Sequence, residues 1–112
     1  MPNMVDMNDK LRQMLGDLRQ SFEQIYGDRL QRMILFGSQA RGDAEAGSDV
    51  DVMVVLAGDT RAADEIERTG GITSDLSLQF NTVLSCLFIS AERFERERSP
   101  LLLNVRREGV ML

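Results

Sequence analysis

The run DVDVMVVLA at residues 49–57 constrains this chain more than any other stretch. Its valines at 50, 52, 54 and 55 are β-branched, and such residues suit a pleated strand. The run begins with polar/apolar alternation and then turns continuously apolar, the pattern of a strand entering a core. Such a strand cannot stand alone, because its apolar surface must be covered by neighbouring elements.

The flanking sequence supplies them. Met4, Met7, Leu11, Met14, Leu18, Phe22 and Ile25 recur every three or four residues, which predicts an amphipathic helix over roughly residues 4–26. Gly27-Asp28 would stop it. RMILF at 32–36 reads as a short buried strand ending at Gly37, and the small polar residues 38–48 as one helical turn and a loop. After the valine run, Gly58-Asp59 ends the strand and Thr60 is placed to cap a helix. Ala63, Ile66, Gly70, Thr73, Leu76 and Phe80 follow helical spacing, although Gly70-Gly71 invites a kink or a break. VLSCLFIS at 83–90 reads as a third strand. Ser90 can cap a helix over 91–98, and Ser99-Pro100 can start a last one to about Arg107, stopped by Gly109. The expectation is a single domain over residues 1–112, an α/β (α+β) sheet covered by helices.

Composition prunes the chemistry. There is no histidine, so serine–histidine and cysteine–histidine nucleophile systems are excluded, as are histidine general bases. Lys10 is the lone lysine, and no glycine-rich loop ends in Lys-Ser or Lys-Thr, which removes the P-loop. What remains is carboxylates, hydroxyls, arginines and bound metal. The net charge of −5 and pI of about 4.7 argue against bulk nucleic-acid binding, but a nucleotide site needs only local positive charge or metal. No apolar run approaches the roughly 18 residues of a membrane span. The opening residues MPNMVDMNDK do not resemble a signal peptide. Cys86 has no partner cysteine and reads as a reduced, buried thiol. Together these predict a cytoplasmic protein with no membrane contact.

Three features converge on a candidate site. Gly37-Ser38 lies where a strand turns into a helical turn, whose free N–H groups suit phosphate. By itself a glycine there is only a turn. Asp49 and Asp51 flank Val50, so a strand would project both carboxylates to one side, an oxygen pair suited to a hard divalent cation. Equally, two aspartates can mark a solvated strand entry. Arg41 lies three residues after Ser38, on the same helical face; it can grip a phosphate or sit in solvent.

Taken together, Gly37-Ser38, ten residues, then Asp49-Val50-Asp51 entering a valine-rich strand resembles the signature of the minimal nucleotidyltransferases of bacteria and archaea. These belong to the DNA polymerase beta-like superfamily. Ala40-Arg41-Gly42 and Ser48-Asp49 strengthen the match, and the tail SPLLLNVRREGV is similar to the ends of such domains. The resemblance implies a polymerase-beta-like fold and transfer of a nucleoside monophosphate from ATP or another nucleoside triphosphate to a hydroxyl. Carried onto this chain, Gly37, Ser38, Arg41 and Ser48 would bind the nucleotide. Asp49 and Asp51 would be catalytic and would ligate two Mg²⁺. Small members of this kind resemble antitoxins that act with a helical HEPN-type protein, so that partner is implied as well. Separately, the methionine-rich stripe of the first helix suits core packing or, if exposed, an interface in a homo- or hetero-oligomer.

The chain departs from the family pattern on the third strand, where a further carboxylate is expected. Ser85 and Leu87 occupy that face, and neither can replace it. Either two aspartates suffice, or a third carboxylate comes from Asp75 or a partner, or the chain is a weak or inactive nucleotide-binding antitoxin or scaffold acting by contact. A plain structural role for both motifs is the third alternative.

Overall fold

The computed structural model describes residues 8–42 and 48–112. Its elements are α1 (Asp9–Tyr26), a short 3-10 turn (Gly27–Arg29), β1 (Leu30–Phe36), α2 (Ser38–Arg41), β2 (Val50–Leu56), α3 (Ala62–Phe80), β3 (Leu84–Ser90), α4 (Ala91–Arg96), α5 (Pro100–Glu108) and β4 (Val110–Met111). The four strands form one mixed sheet in the order β3-β2-β1-β4. β1 is antiparallel to β2 and to β4, while β2 and β3 run parallel across α3. A parallel neighbour requires a crossover, and the 19 residues of α3 supply it. This is the helix-covered α+β sheet expected from the sequence.

The sheet separates two apolar layers. Val50, Val52, Val54 and Leu56 of β2 point into one, against Leu11, Met14, Leu15, Leu18, Phe22 and Tyr26 of α1 and Leu76 and Phe80 of α3. Met53 and Val55 point to the other, where they meet Ile34, Ile89, Phe94, Leu102 and Val105. The valine run is therefore buried on both faces, as its composition required. On the second face α4 and α5 sit over the Met53–Val55 end of β2, and the Asp51 end is left more open.

Local signals account for most boundaries. The Asn8 side chain accepts from the Leu11 amide at 2.8 Å and starts α1. Gly27, with φ +52°, ends it. Ser90 and Ser99 accept from the amides of Arg93 and Leu102, and Pro100 takes the first position of α5. Along α4 the charges pair one turn apart, Arg96 with Glu92 at 2.9 Å and Arg93 with Glu97 at 3.1 Å, a solvated face.

Several expectations are corrected. Met4 and Met7 lie outside the described residues, and Ile25 is 37% exposed, because the stripe of α1 drifts onto Leu15 and Tyr26. Thr60 does not cap α3. Arg61 holds the cap position without a side-chain bond, and the Thr60 hydroxyl donates to the Gly58 carbonyl at 3.1 Å. Nor do Gly70 and Gly71 break α3. The hydroxyls of Thr69 and Ser77 donate to carbonyls one turn back, at 2.8 and 2.7 Å, and the helix runs through. Its buried face is turned by one residue: Ile66 is 52% exposed while Glu65 is 4% exposed. Glu65 is tolerated there because Tyr26 donates to it at 2.7 Å and Arg68 lies 3.1 Å away. Arg106 stacks 4.6 Å over the Phe94 ring and donates to the Phe94 carbonyl, fixing α5 against α4.

Candidate functional site

The site is built where β1 ends and β2 begins. Gly37 leaves β1 with φ +79° and ψ −159°, a region essentially reserved for glycine. That turn brings its backbone against β2: a Cβ on Gly37 would lie 2.9 Å from Oδ2 of Asp51. The glycine is therefore required twice, for its torsion angles and for its missing side chain. The Gly37 carbonyl then accepts from the amides of Ala40 and Arg41 at 3.1 and 3.2 Å, closing the single turn of α2. Ser38, the first residue of that turn, is half-buried.

Asp51 pairs with Phe36 of β1 on one side and with Ser85 of β3 on the other. Neighbours in register point to one face, so Asp51 and Ser85 share the face on which Met53, Val55 and Ile89 are buried. Asp49 lies one residue before β2 and is exposed. The Asp51 carboxyl is raised above the usual carboxylate range, first by burial and then by the neighbouring negative charge of Asp49. Both causes oppose a second charge in the same place, and a divalent cation between the two groups would reverse them. The donors are hard oxygens, and Mg²⁺ commonly takes one or two carboxylates and completes its shell with water and phosphate. Two aspartates fit such an ion. Among the described residues, however, no three aspartate, glutamate or cysteine side chains gather where they could hold a metal ion.

The other sequence candidates fall nearby. Ser48 is half-buried, and its carbonyl accepts from Nε2 of Gln39 at 3.2 Å, a bond that ties α2 to the approach of β2. Arg41 is exposed at the end of α2, with its guanidinium 3.7 Å from Glu108 at the end of α5. Neither Gln39 nor Glu108 stood out in the sequence: a glutamine in a turn has no distinctive pattern, and the contact with Glu108 spans 67 positions, from 41 to 108. Asp75 and Glu65 are not brought to the site. Both lie on α3, which packs on the opposite face of the sheet. The position facing Asp51 on β3 is held by Ser85, and Leu87 follows it on that face, 43% exposed.

Comparison with known proteins finds relatives in sequence and in fold. The profile of the nucleotidyltransferase domain family matches residues 15–102, which includes every site residue named above except Glu108. Two proteins of Methanocaldococcus jannaschii, each named as a candidate protein adenylyltransferase, are similar in sequence. One is 34% identical over 73 residues, covering 65% of this chain and 73% of the relative. The other is 32% identical over 88 residues, covering 78% and 82%. In fold, the chain is similar to the crystal structure of a candidate nucleotidyltransferase from Sulfolobus solfataricus. Its TM-score is 0.52 at 17% identity, with 97% of this chain and 90% of that one covered.

Proposed function

Because the chain belongs to the nucleotidyltransferase domain family, we propose that it transfers a nucleoside monophosphate, AMP from ATP, to a hydroxyl on a partner protein. The observation that carries this reading is the contact between Gly37 and Asp51. A triphosphate held by the Gly37-Ser38 turn would lie beside the Asp51 carboxylate at the start of β2.

Each residue then has a task. Backbone amides at the start of α2 and the Ser38 hydroxyl bind phosphate oxygens, and the bare backbone of Gly37 admits them closely. Arg41 adds positive charge at the end of the same turn, and Ser48, held by Gln39, sets the approach to Asp49. Asp49 and Asp51 would hold Mg²⁺. When bound, the metal neutralises charge on the transferring phosphate and lowers the pKa of the attacking hydroxyl. The protein's own contribution is positioning and charge, which dominate catalysis of phosphoryl and nucleotidyl transfer. The two relatives named as adenylyltransferases of proteins support ATP as donor and a protein as acceptor. A helical HEPN-type partner and a cytoplasmic setting complete the reading. No described helix is long and apolar enough to cross a membrane.

One observation favours a second reading. Ser85 stands where a third carboxylate would serve as base, so the chain could bind nucleotide and act on its partner by contact, with little or no turnover. A transfer assay separates the two. The protein is incubated with Mg²⁺, ATP labelled on the α-phosphate and the protein that co-purifies with it, beside the Asp49→Ala, Asp51→Ala double variant. Label on the partner, absent with the variant, supports transfer. Nucleotide binding by calorimetry without label on any acceptor supports the second reading.

A further inference from the structure

The register of the sheet places three groups in one rank across three strands. Phe36 pairs with Asp51, and Asp51 with Ser85, so the Gly37 turn, the Asp51 carboxylate and the Ser85 hydroxyl follow one another in order. Neighbouring strands are about 4.8 Å apart, which sets the spacing of the rank. Asp51 and Ser85 lie on the same face, toward the end that α4 and α5 leave open. Ser85 is exposed, and its hydroxyl has no hydrogen-bond partner among the described residues.

Nucleotidyl transfer is an in-line displacement: the leaving pyrophosphate and the entering oxygen stand on opposite sides of the α-phosphorus. If the Gly37-Ser38 turn holds the β- and γ-phosphates, the leaving group lies on the β1 side of Asp51. The entering oxygen must then come from the β3 side, and the side chain that β3 offers there is Ser85. A carboxylate in that position could only assist an incoming hydroxyl, whereas a serine brings a hydroxyl of its own.

We propose that Ser85 is a self-modification site, an acceptor to which this chain transfers a nucleoside monophosphate from its own bound nucleoside triphosphate. The inference rests on the nucleotidyltransferase reading above. In the step, the Ser85 Oγ–Pα bond forms while the bond from Pα to the oxygen bridging to Pβ breaks. The electron pair leaves with pyrophosphate, and the hydroxyl proton passes to water. The product is a serine phosphodiester of the nucleoside. Since the attached nucleotide lies over Asp51, each chain can react once, and the modified chain loses its capacity for a second triphosphate. Self-transfer would therefore close the site.

The test uses the full chain with Mg²⁺ and ATP labelled on the α-phosphate, with and without its co-purifying protein. The expected result is label on the chain itself, at most one nucleotide per chain, with an equal amount of pyrophosphate released. Peptide mass spectrometry should locate the added AMP at Ser85. Ser85→Ala should remove this label while still binding ATP, and Ser85→Thr, which keeps a hydroxyl, should retain part of it. Thermal unfolding of Ser85→Ala checks that the exposed position leaves the fold intact. Self-label that persists in Ser85→Ala, or maps to another residue, overturns the inference. Label on the partner but none on the wild-type chain overturns it while leaving the proposed transferase function standing. No label on either protein overturns both.

Discussion

Replacing Gly37 by alanine should damage the site more than the fold, and the two costs can be worked out separately. The torsion angles of φ +79° and ψ −159° lie in a region that an L side chain occupies at about 1–3 kcal/mol. The new Cβ would also stand 2.9 Å from Asp51 Oδ2, with Cγ and Cβ of Asp51 at 3.8 and 3.9 Å. Heavy atoms settle at about 3.5–4.0 Å, so this oxygen must retreat by something over half an ångström. Rotating a carboxylate costs little energy, but the group that moves is the proposed metal ligand. Displacements of about 1 Å at a reacting centre can cost about a hundredfold in rate. Gly58→Ala is the control. Its φ of +84° is likewise one that L side chains rarely adopt, but no non-neighbouring atom would lie within 4 Å of a Cβ there and it sits at the far end of β2. Thermal unfolding should show both variants several degrees less stable than wild type, since about 1 kcal/mol moves a domain of this size by roughly 4 °C or more. Calorimetric binding of Mg²⁺-ATP should fail selectively in Gly37→Ala. Equal nucleotide binding in Gly37→Ala and wild type, or equal loss in Gly58→Ala, would refute the claim that the contact with Asp51 defines the site.

The folded protein holds the Asp51 proton more tightly than the unfolded chain does, so this group favours folding at low pH, and that contribution is lost as pH rises through the raised folded-state value. Asp51→Asn should therefore be more stable than wild type at pH 7 without metal, the difference should shrink on acidification, and Mg²⁺ should stabilise wild type alone; urea unfolding that shows the wild type more stable in metal-free buffer contradicts this. Tyr26→Phe removes the hydroxyl that donates to buried Glu65 and should cost about 1–3 kcal/mol in the same assay, and an unchanged midpoint would show that Arg68 alone satisfies the carboxylate. Burial pushes the Cys86 thiol up to about 12, so alkylation at pH 8 should be slow in the native protein and rapid in denaturant; fast native labelling would mean that this part of β3 opens.

What could be read from the sequence was whatever depends on near neighbours. The valine run declared β2, serine and proline declared the starts of α4 and α5, and Gly-Ser with Asp-x-Asp marked the turn and strand that meet at Gly37 and Asp51. What could not be read depends on pairing across the chain. β4 is two residues long and carries no pattern of its own; it exists because α5 returns Val110 and Met111 to β1 beside Ile34 and Leu35. The buried face of α3 departs from its apolar spacing because Glu65 looks like a surface residue until Tyr26, from another helix, is placed against it. Likewise, the sequence indicated that β3 lacks a carboxylate, but only the parallel register identifies Ser85 as the residue facing Asp51.

That register links the economy of the site to its electrostatics. A carboxylate facing Asp51 on β3 would have added a third negative charge to a group already raised by burial and by Asp49. Serine avoids the repulsion, so the metal-free fold carries one unfavourable acidic pair rather than a triad. The cost falls on chemistry, because the position that would orient and deprotonate an incoming hydroxyl now offers a neutral group. An acceptor entering from the β3 side must therefore be activated by metal alone, bring its own base, or be the serine itself. Ser85→Asp separates these demands. It should lower metal-free stability through like-charge repulsion, with Mg²⁺ restoring it, and it should raise transfer to an external hydroxyl if the missing carboxylate limits the rate. Transfer that stays flat while Mg²⁺ binding strengthens would mean that the incoming hydroxyl is already activated without help from β3.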